Sequence, residues 1–212
     1  MFNSRSAPFL SALLVSFSVF AATPVFAQAN NAVAAIAALA ESEQTKLLDT
    51  LKALVNIETG STHRDGLDTA AEFIGARLKA LGGEVEIVEA PAADIYQLEG
   101  LPDRIGRAVR ATFRGTGSKR ILLLAHMDTV YPVGMLSKQP FRIDGNLAYG
   151  LGIADDKQGV ATIIHVVAML QALNARDYGV LTVLINGDEE ISSPASRKLI
   201  AKLGSEHDAV LS

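Results

Sequence analysis

The chain has 212 residues, 49% of them hydrophobic, and no cysteine. That length allows one large domain or two small ones. The missing cysteine excludes disulfides and thiolate metal sites, so any metal must be held by His, Asp and Glu. With 19 basic and 23 acidic residues the formal charge is −4, an acidic balance that argues against a nucleic-acid partner.

The first 27 residues read as a leader. Arg5 gives a positive start, Phe9 to Ala22 is an apolar run, and Val25-Phe26-Ala27 places small residues for cleavage. A bilayer span needs ~20 apolar residues, more than this run supplies, and no later segment is a candidate. The expectation is a signal peptide over 1–27, a periplasmic or secreted location, and no membrane contact after cleavage. Arg5 is the one charge in the leader, so the remainder stays net acidic.

Asn30 to Leu39 is alanine-rich, helical or loose. Leu47, Leu48, Leu51, Leu54 and Val55 fall at helical spacing and predict an amphipathic helix over Glu43 to Ile57. Glu58 to Gly66 is turn-like. A second helix is predicted from Leu67 to Leu81, stopped by Gly82. Glu84 to Glu89 alternates as a half-buried strand does, and so does Ala108 to Phe113. Ile121 to Ala125 is continuously apolar, as a strand covered on both faces is, and Val180 to Ile185 reads as another buried strand. Between them Lys157 to Leu173 is a largely apolar helix. Ser193 as N-cap and Pro194 in the first turn predict another helix, ended by Gly204, and Ala209 to Leu211 begins one more strand. The alternation from residue 84 onward indicates an α/β fold with a mixed, mostly parallel sheet flanked by helices.

Three segments carry chemistry. Strand Ile121 to Ala125 runs into His126-Met127-Asp128, and sites in open α/β sheets form at the carboxyl ends of strands. His126 and Asp128 are two apart and point the same way on extended backbone; an Asp beside a His can orient the imidazole. The alternative is a polar strand end leaving the core. In Gly150-Leu151-Gly152-Ile153-Ala154-Asp155-Asp156-Lys157, two adjacent carboxylates ask for a cation; alternatively an Asp caps the helix that follows. Strand Val180 to Ile185 ends in Asn186-Gly187-Asp188-Glu189-Glu190, either a metal-binding edge or a solvated acidic loop. One such segment is weak evidence. His126 with Asp128, Asp155, and Glu189 with Glu190 at strand ends or just before a helix together point to a metal site.

At these residues the chain resembles the dizinc metallopeptidase and amidohydrolase family of glutamate carboxypeptidase (carboxypeptidase G type), acetylornithine deacetylase and aminoacylase. The resemblance rests on Val55-Asn56-Ile57-Glu58-Thr59-Gly60, His126-Met127-Asp128-Thr129-Val130-Tyr131, the Tyr149 to Lys157 loop and Asp188-Glu189-Glu190. It implies two zinc ions. His126 then holds one zinc and Asp128 orients it, Asp155 bridges both, Glu190 holds the other, and Glu189 is the general base. It implies a cis peptide between Asp155 and Asp156 in the complete metal-bound enzyme, free to relax to trans in a chain with fewer ligands.

Departures from the family go with these implications. Its two further ligands, a second His and an acid, find no matching motif here, and His63, His165 and His207 stand in none. His165 is expected to be a packed structural residue and His207 exposed. The nearest members carry Lys-Gly where this chain has Ile191-Ser192. The family's lid and dimerisation domain has no counterpart, so 28–212 is expected to be the amino-terminal part of the zinc-dependent catalytic domain, with a homodimer only for a full-length form. The implied function is zinc-dependent cleavage of an amide or peptide bond, releasing a C-terminal amino acid such as glutamate from a small peptide. The rivals are an N-acyl amino acid deacylase of the same family and a truncated, non-catalytic metal-binding chain.

Overall fold

The computed structural model describes residues 25–212, with side chains from residue 33 onward. The leader expected over 1–27 lies outside the described residues apart from its last three. Two compact units divide between Ala38 and Leu39. The first contributes the amino-terminal turns of helix α1 (Val25–Val55), where Val33 to Ala38 are exposed. No described helix is long and apolar enough to cross a membrane.

In the second unit the predicted stripe of α1 is real: Leu51, Leu54 and Val55 are buried and Leu47 packs partly against the same core. Helix α2 (Arg64–Ala80) buries Leu67, Ala70, Ala71, Ile74 and Leu78, the three-and-four spacing of one helical face. It begins three residues earlier than expected and ends where expected. Gly82 takes φ +88° and gives its N–H to the Lys79 carbonyl, a left-handed turn that glycine makes without a Cβ penalty.

The remaining elements are β1 (Glu84–Val88), β2 (Ala108–Arg114), β3 (Arg120–His126), a hairpin of β4 (Arg142–Asp144) and β5 (Leu147–Tyr149), α3 (Gln158–Ala172), β6 (Val180–Asn186), α4 (Arg197–Glu206) and β7 (Ala209–Leu211). The main sheet has the order β1-β2-β6-β3-β7. It is mixed: β1 with β2 and β2 with β6 run antiparallel, β6 with β3 and β3 with β7 parallel. Strand side chains alternate between two covered faces. Val109, Ala111, Phe113, Leu123, Ala125, Leu181, Val183 and Ile185 meet α2 and α3. Leu122, Leu184 and Ala108 meet Leu203 of α4. This is why the interiors of β3 and β6 are apolar on both faces apart from Thr182, whose Oγ1 pairs with His207.

Helix α4 corrects the sequence expectation. It begins at Arg197, not at Ser193, and Ser192 and Ser193 sit at φ +72° and +53°. The amides before the helix are taken by Asp188, whose Oδ2 accepts from the N–H groups of Ala195 (2.7 Å) and Ser196 (3.0 Å). Gly204 lies inside α4, and the helix runs on to Glu206. His207, expected to be exposed, is half-buried with its Nε2 2.8 Å from Thr182 Oγ1.

An ion cluster ties α2 to the segment between β1 and β2. Arg64 reaches Asp68 (2.7 Å), Glu89 (2.6 Å) and the Ile105 carbonyl (2.6 Å), and Arg107 reaches Asp68 (2.9 Å). Burial alone would raise the Asp68 carboxyl, but Arg64 and Arg107 outweigh it and hold it below 3.8. Its contribution to stability is therefore present above pH 3.8 and is lost as pH falls through the lowered value. Asp68→Asn is expected to cost about 1–3 kcal/mol at pH 7, with the gap to wild type closing in acid. Urea midpoints at pH 7 and in strong acid check this; a gap that persists undiminished in acid counts against it.

Candidate metal centre

The parallel ladder between β3 and β6 sets His126 opposite Asn186, so both strands end at one edge. The chain then continues into the two segments singled out above, 126–128 and 188–190. Asp128 joins them. It is fully buried, and its Oδ1 and Oδ2 accept from the Glu189 N–H (3.0 Å), the Glu190 N–H (3.0 Å) and Ser61 Oγ (2.8 Å). Ser61 belongs to the segment after the Val55 to Gly60 motif, which lies along β3's extension through a Gly60–Thr129 bridge. One carboxylate thus fixes three stretches of chain.

His126 is buried, with Nδ1 3.1 Å from the Asp128 carbonyl and 3.4 Å from Asp128 Oδ1. Its Nε2 stands 2.9 Å from Asp155 Oδ1 and 4.0 Å from Glu189 Oε2. Burial alone would push the imidazole down, but Asp128, Asp155 and Glu189 outweigh it and raise it to about 9. Protonated, the ring donates Nε2–H to Asp155.

Asp155 and Asp156 occupy a turn over Ile153–Lys157 in which neither has helical angles, and the peptide between them is cis, not relaxed to trans. Gly152 introduces the turn at φ +69°, where a Cβ would collide with the Thr129 side chain. Asp156 accepts from the Gly159 N–H at 3.2 Å, the helix-capping role weighed for this pair, while Asp155 is left exposed to face His126. Glu190 lines the same cleft as Asp155; burial, Asp155 and Asp128 push its carboxyl up.

Among the described residues, no group of three or more His, Cys, Asp and Glu side chains stands together closely enough to hold a metal ion. The donors present nevertheless fit a share in one. His126 Nε2 and Asp155 Oδ1 stand 2.9 Å apart as a direct hydrogen bond, and would open to about 3.4 Å to share a tetrahedral zinc at about 2.0–2.2 Å from each. A carboxyl pushed up by neighbouring carboxylates, as at Glu190, is relieved by a cation.

Three positions were not legible as site supports. Asp188, grouped by sequence with an acidic run, is fully buried and also receives Asn186 Nδ2 (3.1 Å) and Ser196 Oγ (2.6 Å). Lys157 is 2% exposed, gives its Nζ to the Ile57 carbonyl at 2.8 Å, and is pushed down to about 8 by burial. Ser61 carried no signal beyond its place after the Val55 to Gly60 motif. His165 is structural as expected, held between Thr50 (2.9 Å) and Glu43 (2.9 Å), and His63 bonds the Glu58 carbonyl; neither reaches the site.

His126, Asp155, Glu189 and Glu190 thus gather at the carboxyl edge of a mixed α/β sheet. Residues 122–212 match the model of peptidase family M20/M25/M40. The chain is 43% identical over 173 residues to carboxypeptidase G2 of Pseudomonas sp. (strain RS-16), a match covering 82% of this chain and 39% of that one. Two solved structures share the fold. The di-peptidase Dug1p of Saccharomyces cerevisiae has a TM-score of 0.67 at 22% identity, over 80% of this chain and 38% of its own. Human carnosine dipeptidase 1 has a TM-score of 0.64 at 23% identity, over the same shares. The chain thus spans well under half the length of these relatives.

Proposed function

We propose that the protein acts as a zinc-dependent hydrolase, or as the part of one that carries its catalytic base, and that it cleaves an amide bond to release a C-terminal amino acid, glutamate first among candidates. The observation that carries this is the pairing of His126 with Asp155 at 2.9 Å, with Glu189 4.0 Å from the same nitrogen and Glu190 lining the same cleft as Asp155. Similarity to a protein named as a carboxypeptidase supports the reaction type.

In this reading His126 and Asp155 would hold one zinc, and Asp155 and Glu190 the other. Bound zinc supplies a polarised amide carbonyl and a more acidic water. Glu189 takes a proton from that water as its oxygen attacks the carbonyl carbon, and returns it to the nitrogen as the C–N bond breaks. Asp128 keeps the His126 ring turned towards Asp155 and fixes the Glu189 and Glu190 backbone. His126 and Asp155 on one side, and Asp155 and Glu190 on the other, are two protein ligands each, whereas catalytic zinc has three.

The test is zinc stoichiometry together with hydrolysis of peptides ending in glutamate and of N-acyl amino acids. Zinc uptake with release of C-terminal glutamate supports the reading, and turnover of N-acyl amino acids alone shifts it to deacylation. Zinc uptake without hydrolysis of either leaves a metal-binding chain and overturns it. We also propose export, on the strength of the apolar run and its Val25-Phe26-Ala27 end; a mature protein whose first residue is Met1 would overturn that.

A further inference from the structure

The cleft in front of Asp155 holds about 760 Å³ and carries two opposed chemistries in its wall. Asp155 and Glu190 belong to the centre described above. Lys138, Arg142 and Tyr149 belong to the β4–β5 hairpin and the segment before it, and no step of the proposed hydrolysis uses them.

Hairpin register places Arg142 directly opposite Tyr149, and the Arg142 guanidinium lies over the Tyr149 ring at 3.6 Å. Stacking of this kind holds the group in place yet consumes none of its N–H donors. Its nearest carboxylate, Asp144, is 4.0 Å away, beyond hydrogen-bond reach, and the Arg142 side chain is 56% exposed. Among the described residues the Lys138 ammonium has no carboxylate within ion-pair distance, while its backbone N–H is fixed to the Met135 carbonyl. Two uncommitted cations therefore share a cleft with the carboxylates of the metal centre. A planar, stacked guanidinium matches a carboxylate, which accepts a bidentate fork, and an ammonium in the same cleft wall adds to the positive charge.

We infer that Arg142, braced by Tyr149, and Lys138 form a carboxylate-binding subsite that selects substrates whose released amino acid is anionic. This rests on the hydrolase reading for what sits at Asp155, but not for the subsite's own binding. A substrate carboxylate there lies in the cleft that also presents its amide to Asp155 and Glu190, so the subsite sets both affinity and the direction of binding.

The experiment uses three probes on the zinc-loaded protein: N-acetyl-L-glutamate, N-acetyl-L-glutamine and N-acetyl-L-glutamine amide, which carry two, one and no carboxylates. Titration calorimetry gives each Kd for wild type and for the variant Arg142→Gln, Lys138→Gln, with zinc stoichiometry and Tm measured alongside. The expected result is a preference for the more anionic probe in wild type that falls at least tenfold in the variant, with zinc stoichiometry and Tm unchanged. Loss of the glutamate-over-glutamine preference assigns the subsite to a side-chain carboxylate; loss of the glutamine-over-amide preference assigns it to the terminal carboxylate. Single Arg142→Lys retains part of the preference if charge and not packing is read. A preference that is absent in wild type, or equal in the double variant, overturns the subsite. Charge preference without hydrolysis would keep the subsite and remove the hydrolase reading, and hydrolysis indifferent to charge would do the reverse.

Discussion

Replacing Glu189 by Gln is expected to lower hydrolysis by roughly 10²–10⁴-fold, the usual worth of a general base, while leaving zinc binding intact. The amide keeps the shape of the side chain but cannot accept a proton from water. Glu189 is more than half exposed and its backbone N–H, not its side chain, is what Asp128 holds, so the substitution leaves the loop in place. Glu190→Gln should behave in the opposite sense. Its carboxyl already sits close to Asp155 and Asp128, and a neutral amide there is a poor ligand for zinc. Zinc occupancy should fall first, and activity with it. Zinc content and initial rates for both variants decide the matter; the reverse pattern would falsify the assignment of base and ligand.

The second large effect is expected at Asp128, where substitution by Ala should cost roughly 3–5 kcal/mol of folding free energy. Three donors lose their acceptor together: the buried Ser61 Oγ and the part-buried Glu189 and Glu190 N–H groups. Each orphaned donor costs about 1–3 kcal/mol, against a total stability that is typically ~5–15 kcal/mol. The His126 ring keeps the residue-128 carbonyl at Nδ1 but loses the carboxylate 3.4 Å away, so zinc affinity should drop by about 10–100-fold in whatever protein remains folded. Asp128→Asn keeps one acceptor oxygen and should be milder on both counts. Urea denaturation and zinc titration separate the two losses. A stability loss under about 1 kcal/mol, within the range of ordinary surface changes, would show that the three donors find partners elsewhere.

What the sequence disclosed follows from how each element is stabilised. Strands β3 and β6 were legible because both faces are buried and nearly every interior position is apolar. The stripes of α1 and α2 were legible for the same reason, one face at a time. The edge residues His126, Asp155 and Glu189 were locatable because they follow such strands or a glycine-bounded turn. The start of α4 was misread because the acceptor for its first amides is Asp188, several residues upstream, and not the Ser193 beside the proline. Its end was misread because Gly204 lies on an open face where a Cβ would meet nothing within 4 Å, so nothing obliges a stop there. The β4–β5 hairpin has three-residue strands with little burial, and so carries no alternation; its trace is Asp144-Gly145-Asn146, with Gly145 at φ +57°. Burial of Asp188 and Lys157 was beyond reach, since charge in a sequence signals exposure unless tertiary partners are known. Ser192 sits in the left-handed region at φ +72°, which glycine adopts without a Cβ penalty.

The pairing of His126 with Asn186 makes the β3–β6 ladder the gauge from which the catalytic edge is measured. Residues 127–179 leave and rejoin that ladder, so their length is free to drift without altering the spacing across it. Hairpins, loops and extra helices are tolerable insertions there. Within β6 the rule is reversed. Removing one residue advances everything after it by about 3.3 Å and turns each later side chain to the opposite face. Asp188 would then leave the pocket beneath α4, and the amides of Glu189 and Glu190 would miss Asp128. Length variation among related chains, and the sites at which new segments can be spliced in by design, should therefore be confined to the crossover and absent from the two strands.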